Sequence, residues 1–86
     1  MIPKYAYAVD DSVVEFFSAR PSREREELLH IFRTLALALN PRGDWVQRTA
    51  TGRELQVKRF GKWLVTFWRD EPVLEVRIVD VKKVLR

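Results

Sequence analysis

The fold is decided by a stretch of alternating side chains that reads GRELQVKRFGKWLVTFWRD, at residues 52–70. Residues 54–60 have the period of two that is typical of β-strands, and residues 63–68 are mainly β-branched and aromatic, which also favours a strand. Gly61 and Lys62 separate the two runs and are too few for anything except a tight turn. The stretch therefore predicts a hairpin of two antiparallel strands.

Two further runs flank this hairpin in the sequence. Residues 45–49 are predicted to form a strand on its N-terminal side, and residues 73–81 alternate strictly on its C-terminal side, with Leu74, Val76 and Ile78 pointing one way. Consecutive strands joined by short turns pair antiparallel with their neighbours. The C-terminal half is thus predicted to be a meander.

The N-terminal half has a different pattern. Residues 5–9 alternate large and small side chains and predict a short strand. Ser12 and Glu15 fit a capping box, with Ser12 as the N-cap, and predict a short helix that ends before Pro21.

A second helix begins near Ser22, which can cap it, and ends at residues 40–43. Its apolar side chains recur at spacings of three and four and form one stripe: Leu28, Ile31, Phe32, Leu35, Ala36 and Leu39. Its other face carries polar side chains, and His30 there is expected at the surface. The element order is then β-α-α-β-β-β. We predict an α+β fold, a single small domain over residues 1–86, with a helical hairpin on one face of an antiparallel sheet.

Composition excludes several kinds of protein. The 86 residues include no Cys and one His, which argues against disulfide scaffolds, thiol nucleophiles and the common zinc sites. No apolar run approaches the roughly 18 residues that cross a bilayer. We expect a cytoplasmic protein without a metal or other cofactor.

Charge is distributed unevenly along the chain. Residues 1–41 hold five basic and six acidic side chains, whereas residues 42–86 hold eleven basic and six acidic ones. A basic half attracts polyanions, because each neutralised phosphate releases counterions. The same pattern is also typical of an ordinary solvated surface.

The sheet face that the helices leave uncovered is the second candidate feature. The run at residues 63–68 is apolar on both sides, so this face shows one of two sets: Trp63, Val65 and Phe67, or Leu64, Thr66 and Trp68. An open face with cations and a tryptophan can hold a nucleotide by phosphate contact and stacking. It can equally receive a helix or strand of a partner protein. The sequence leaves both interpretations open.

In size, in element order and in three segments, the chain resembles the RelE/ParE superfamily of toxins from type II toxin–antitoxin systems. The segments are the helix end at residues 37–41, the sheet segment at residues 52–70 and the ending at residues 76–83. The resemblance covers nearly the whole chain. It implies a cognate antitoxin as partner and a toxin–antitoxin hetero-oligomer.

The resemblance implies one of two activities. The RelE branch cleaves messenger RNA in the ribosomal A site without a metal, and the ParE branch inhibits DNA gyrase. In RelE-type cleavage the ribose 2′-OH attacks the adjacent phosphate, while Lys and Arg side chains activate it, stabilise the charge and protonate the leaving oxygen. We expect the RelE activity, with the ribosome and mRNA as partners.

Family positions map onto basic residues of this chain. Lys58 matches the family's basic residue on the strand after the hairpin turn, and Lys82 or Lys83 matches the one after the final strand. The resemblance thus implies Lys58, Arg77 and Lys83 as catalytic cations. It implies RNA contacts by Arg48, Arg53, Arg59, Lys62 and Lys82.

Departures from the family pattern keep two alternatives open. Gln56 stands where RelE-like members often have a second basic residue, and the pair Lys62-Trp63 replaces a Tyr-Arg pair. One alternative is a ParE-like gyrase inhibitor. The other is a catalytically degenerate member that only binds its antitoxin.

Overall fold

The computed structural model describes residues 6–38 and 41–84 of the chain. Its elements are β1 (Ala6–Val9), α1 (Asp11–Ser18), α2 (Ser22–Leu37), β2 (Trp45–Arg48), β3 (Glu54–Phe60), β4 (Trp63–Asp70) and β5 (Glu75–Lys83). Every predicted helix and strand has a counterpart among them. Leu39 and Asn40, which were predicted to close α2, lie outside the described residues.

The five strands form one sheet in the order β1-β5-β4-β3-β2. The four strands after the helices pair antiparallel with their neighbours, as predicted. The predicted order β-α-α-β-β-β has only three strands after the helices, one fewer than the structure. The sheet as a whole is mixed, because β1 runs parallel to β5, with Tyr7 beside Val76. A parallel pair needs a long connection. Here the two helices and the strands β2 to β4 form that connection. Alternation within each strand could not reveal this parallel pairing.

The two helices cover one face of the sheet, and this contact forms the core. Leu28 and Phe32 of α2 pack on Val65, Phe67 and Ile78, all at most 2% exposed. Each such side chain contributes about 1.5–3 kcal/mol when it is fully buried. The apolar stripe predicted for α2 is therefore the surface that holds the helix on the sheet.

The structure also shows which side of β4, a strand that is apolar on both sides, faces the helices. Trp63, Val65 and Phe67 are buried under the helices. We call that side the helix face. Leu64, Thr66 and Trp68 point the other way. We call that side the open face.

The predicted helix starts were wrong by one or two residues. Asp10, not Ser12, is the N-cap of α1, and its carbonyl oxygen accepts hydrogen bonds from the backbone N–H groups of Val13 and Val14. The Asp10 N–H donates to the Ile78 carbonyl oxygen, so β1 pairing ends where the helix begins. Pro21 likewise precedes α2 as its N-cap, in place of Ser22.

A β-bulge interrupts the pairing of β4 with β5. Thr66 pairs with Asp80 but the next residue, Phe67, pairs with Ile78, so Val79 is the extra residue on β5. One inserted residue reverses the alternation of side chains beyond it. Even-numbered residues of β5 face the helices before the bulge, and odd-numbered ones do so after it.

Candidate functional site

The three predicted catalytic cations lie on two faces of the sheet. Lys58 pairs with Val65 across β3 and β4, and Lys83 pairs with Trp63 across β5 and β4, so both belong to the helix face. Arg77 pairs with Trp68 and belongs to the open face. The bulge causes the separation of Arg77 from Lys83. The structure therefore does not bring the three together at one point.

Lys58 lies where β3 extends beyond the helices. Its ammonium Nζ is 3.8 Å from Oδ1 of Asp44 and 5.7 Å from the centre of the Phe60 ring. The other oxygen of Asp44 accepts a hydrogen bond from the Arg59 backbone N–H at 2.9 Å. Asp44 thus fixes the start of the edge strand β2 to β3 and neutralises Lys58.

Lys83 is held by a carboxylate of α2. Glu24 is only 8% exposed, and its Oε2 accepts hydrogen bonds from Nζ of Lys83 at 2.8 Å and from Nζ of Lys62 at 3.0 Å. The hydrogen bonds from Lys83 and then from Lys62 hold the pKa of Glu24 below its ordinary value. The hydrogen bond to Glu24 raises the pKa of Lys62.

Further charged groups surround this contact. Glu27 lies 3.6 Å from Nζ of Lys62 and accepts a hydrogen bond from the Trp63 indole N–H at 3.0 Å. Arg20 lies 3.9 Å from Glu24, and its guanidinium is 4.8 Å from the centre of the Phe16 ring. We call the five charged residues the Glu24 cluster: Arg20, Glu24, Glu27, Lys62 and Lys83. It ties the β3–β4 turn and the end of β5 to α2.

Sequence reasoning missed Glu24 as a site residue. Glu24 lies in the first turn of α2, where the helix dipole favours acidic side chains, and this gives it an ordinary structural role. A sharper signal was present, because Glu24 precedes Leu28 by four positions and so continues the apolar stripe of the helix. A carboxylate on a buried stripe needs a cationic partner.

The open face combines cations with an aromatic ring. The Arg53 guanidinium lies 3.8 Å from the centre of the Trp68 ring, and Trp68 faces Arg77 across the strands. Arg77 is 3.3 Å from Glu75 and 3.8 Å from Asp10. Its guanidinium is thus held by two carboxylates beside the stacked pair.

The predicted RNA-contact residues divide between several places. Arg59 and Lys82 both pair with Leu64 across the sheet, on the open face with Arg53. Lys62 is in the Glu24 cluster. Arg48 lies on the edge strand, 3.5 Å from Glu54. Three of the five predicted contacts therefore share the open face with Arg77.

Among residues 6–38 and 41–84, no three His, Asp or Glu side chains come together in a way that could hold a metal ion. His30 is exposed on α2, as expected, and its backbone carbonyl oxygen accepts a hydrogen bond from the Thr34 hydroxyl. Within the same part of the chain, no helix is long and apolar enough to cross a membrane.

Comparison with known proteins gives a match among the solved structures. No protein-family model and no curated protein matches the sequence. The RelE–RelB complex from the archaeon Pyrococcus horikoshii OT3 contains a chain that superimposes on this one with a TM-score of 0.73, over 98% of this chain and 99% of that one, at 17% identity. The fold is that of RelE. The fold expected from the sequence resemblance is thereby confirmed.

On this RelE fold, the two faces offer different chemistry. The open face presents a guanidinium stacked on an indole beside a second guanidinium, which suits a nucleobase next to a phosphate. The lysines of the helix face pair with carboxylates, as Arg77 also does, so the stacked guanidinium is what distinguishes the open face. Arg53, Trp68 and Arg77 are therefore the best-placed candidates for contact with a nucleic acid.

Proposed function

We propose that the chain is the toxin of a toxin–antitoxin pair and a RelE-like, ribosome-dependent endoribonuclease that cuts mRNA in the cytoplasm. A separate antitoxin protein neutralises it. The observation that carries the proposal is the RelE fold along 98% of the chain, since the similar archaeal protein was crystallised as a RelE–RelB complex. The excess of cations in residues 42–86 supports RNA as the target.

The reaction needs cations and no metal. The 2′-oxygen of a ribose forms a bond to the adjacent phosphorus, and its proton leaves to a base. The bond from phosphorus to the 5′-oxygen breaks, and that oxygen takes up a proton, which leaves a cyclic phosphate and a 5′-hydroxyl. Guanidinium groups stabilise the charge that develops on the phosphate oxygens.

Geometry favours the open face for this step. One phosphate cannot contact cations on both faces of a sheet. The phosphate therefore contacts either Arg77 on the open face, or Lys58 and Lys83 on the helix face. The Arg53–Trp68 stack lies beside Arg77 and offers a platform for a base. We assign the mRNA to the open face, with Arg77 on the phosphate.

The test is a translation reaction programmed with a defined transcript, in which primer extension maps the cuts made by the purified protein. We expect discrete cuts within codons that disappear when ribosomes are omitted. An intact transcript with normal translation would overturn the proposed activity. Loss of gyrase supercoiling activity in a parallel reaction would then assign the chain to the ParE-like alternative.

A second candidate is a family member that binds its antitoxin without cutting RNA. Its support is the separation of the three predicted catalytic cations, each of which also has an acidic partner: Asp44 for Lys58, Asp10 and Glu75 for Arg77, Glu24 for Lys83. This candidate predicts that expression of the chain alone is harmless while the product of the neighbouring gene still co-purifies with it.

A further inference from the structure

The Glu24 cluster has no part in the proposed reaction, yet it contains two cations that face solvent. Both ammonium groups bind the same carboxylate oxygen, Oε2 of Glu24. The carboxylate is buried, whereas the side chains of Lys62 and Lys83 are 41% and 38% exposed. Each ammonium has three N–H donors, so each keeps donors that point away from Glu24.

A phosphate would compete with Glu24 for these lysines. Carboxylate and phosphate oxygens accept the same charge-assisted hydrogen bonds from an ammonium group. A negative charge at Glu24 also repels an approaching phosphate, and Glu27 adds a second negative charge 3.6 Å from Lys62. Lys62 and Lys83 are therefore exposed enough to contact RNA, but carboxylates of the protein already neutralise their charge.

We infer that Glu24 is an internal competitor for phosphate, which restrains Lys62 and Lys83 from binding single-stranded RNA. The inference deepens the proposed function, because RNA is the polyanion concerned. It concerns RNA binding alone, measured without ribosomes and without cleavage. The inference and the proposed function can therefore fail separately. A purely structural Glu24 would stabilise the fold and leave RNA affinity unchanged.

The first test measures the binding of a fluorescein-labelled oligouridylate of about 12 nucleotides by anisotropy. Glu24→Gln removes the charge and keeps the size of the side chain. We expect it to raise affinity roughly fivefold, because two lysines become available to phosphates. Glu26→Gln removes the same charge from an exposed position of the same helix. An equal gain in both variants, or none in Glu24→Gln, would overturn the inference.

The salt dependence of binding identifies the groups released. The slope of log affinity against log salt should steepen in Glu24→Gln by about 0.7 for each lysine that contacts a phosphate. In a background with Lys62→Ala and Lys83→Ala, Glu24→Gln should no longer raise the affinity or the slope. A gain that persists without the two lysines would show that Glu24 acts through other groups and contradict the inference.

A measurement on the unaltered protein covers the case in which Glu24→Gln fails to fold. The side-chain carboxyl carbon of Glu24 is observed by NMR while the same oligouridylate is added to saturation. We expect its resonance to shift when the lysines turn to the phosphates, with that of Glu26 as the reference. A Glu24 resonance that stays in place at saturation would contradict the inference.

Discussion

Arg77 and Lys83 point to opposite faces of the sheet, although they stand an even number of positions apart on the same strand. Strict alternation would put them on the same face. The bulge at Val79 intervenes, so Arg77 pairs with Trp68 on the open face and Lys83 pairs with Trp63 under the helices. This single inserted residue decides which face of the sheet each cation lies on.

The Glu24 cluster makes stability depend on pH at the acid end. The pKa of Glu24 is lowered from 4.5 in the folded protein, so the ionised form is favoured by folding. Its contribution to the free energy of unfolding is complete above about pH 4.5 and is lost as pH falls through the lowered pKa. Urea unfolding of the wild type should show this loss, and Glu24→Gln should flatten that part of the curve.

The control for this prediction is Glu26→Gln, which should keep the acid dependence of the wild type. The pH dependence that comes from Lys62 has the opposite sign, because the pKa of Lys62 is raised from 10.5 in the folded protein. Its contribution is complete below about pH 10.5 and is lost as pH rises through the raised pKa. An acid limb that is equally steep in Glu24→Gln and the wild type would contradict the assigned ion pairs.

The contact of α2 with the sheet should dominate stability. Phe32 is 2% exposed and packs against Tyr7 at a ring-centre distance of 5.7 Å, so Phe32→Ala removes a large buried side chain. We expect a loss of about 3–5 kcal/mol in the free energy of unfolding. Leu37→Ala, at an exposed position of the same helix, should change it by about 0.5 kcal/mol or less. Equal losses in the two variants, measured by urea unfolding, would contradict the packing described.

The edge strand β2 depends on a close approach at Gly43. A Cβ atom there would lie 2.5 Å from both the N and the O of Val57, which are backbone atoms. Gly43→Ala should therefore destabilise the protein by about 1–3 kcal/mol and increase hydrogen exchange along β2. Gly61→Ala is the comparison, because its φ of +59° is strained for alanine but its Cβ would enter open space.

For Gly61→Ala we expect a cost of about 1–2 kcal/mol without enhanced exchange in β2. Thermal unfolding and amide exchange measured on both variants separate steric displacement of an edge strand from backbone strain in a turn. Unchanged exchange along β2 in Gly43→Ala would show that the strand does not rely on this contact.

The stack on the open face should contribute to RNA affinity. Arg53→Ala removes the guanidinium from Trp68. Stacking of one base is worth about 1–3 kcal/mol, so oligouridylate binding should weaken by roughly a factor of five or more. Arg53→Lys should not restore it, because an ammonium lacks the flat guanidinium plane. Full recovery with lysine would indicate a charge effect without stacking.

The sequence predicted the elements well and the site less well. Periodicity and composition found both helices and all five strands, because most of them have an apolar side that packs in the core; β2 is the exception and is exposed along its length. It could not show that β1 runs parallel to β5, since pairing between distant segments leaves no local pattern. Alternation also could not show that Arg77 and Lys83 lie on opposite faces, because a bulge at Val79 changes nothing in the composition of β5.

The sequence could have identified Glu24 as a site residue, but it could not have identified the partners of Glu24. Its place on the apolar stripe of α2 could have marked it as a buried carboxylate. Its partners Lys62 and Lys83 lie 38 and 59 residues away, so tertiary packing alone brings them to it. The stack of Arg53 on Trp68 has the same origin.

We propose that this chain cuts mRNA on the open face of its RelE fold. The most direct measurement compares the wild type, Arg77→Gln and Lys58→Gln in the ribosome-programmed cleavage reaction, with thermal unfolding to verify that each variant is folded. We expect cuts within codons by the wild type and by Lys58→Gln, and their loss in Arg77→Gln. Cuts that persist in Arg77→Gln and disappear in Lys58→Gln would contradict the proposal.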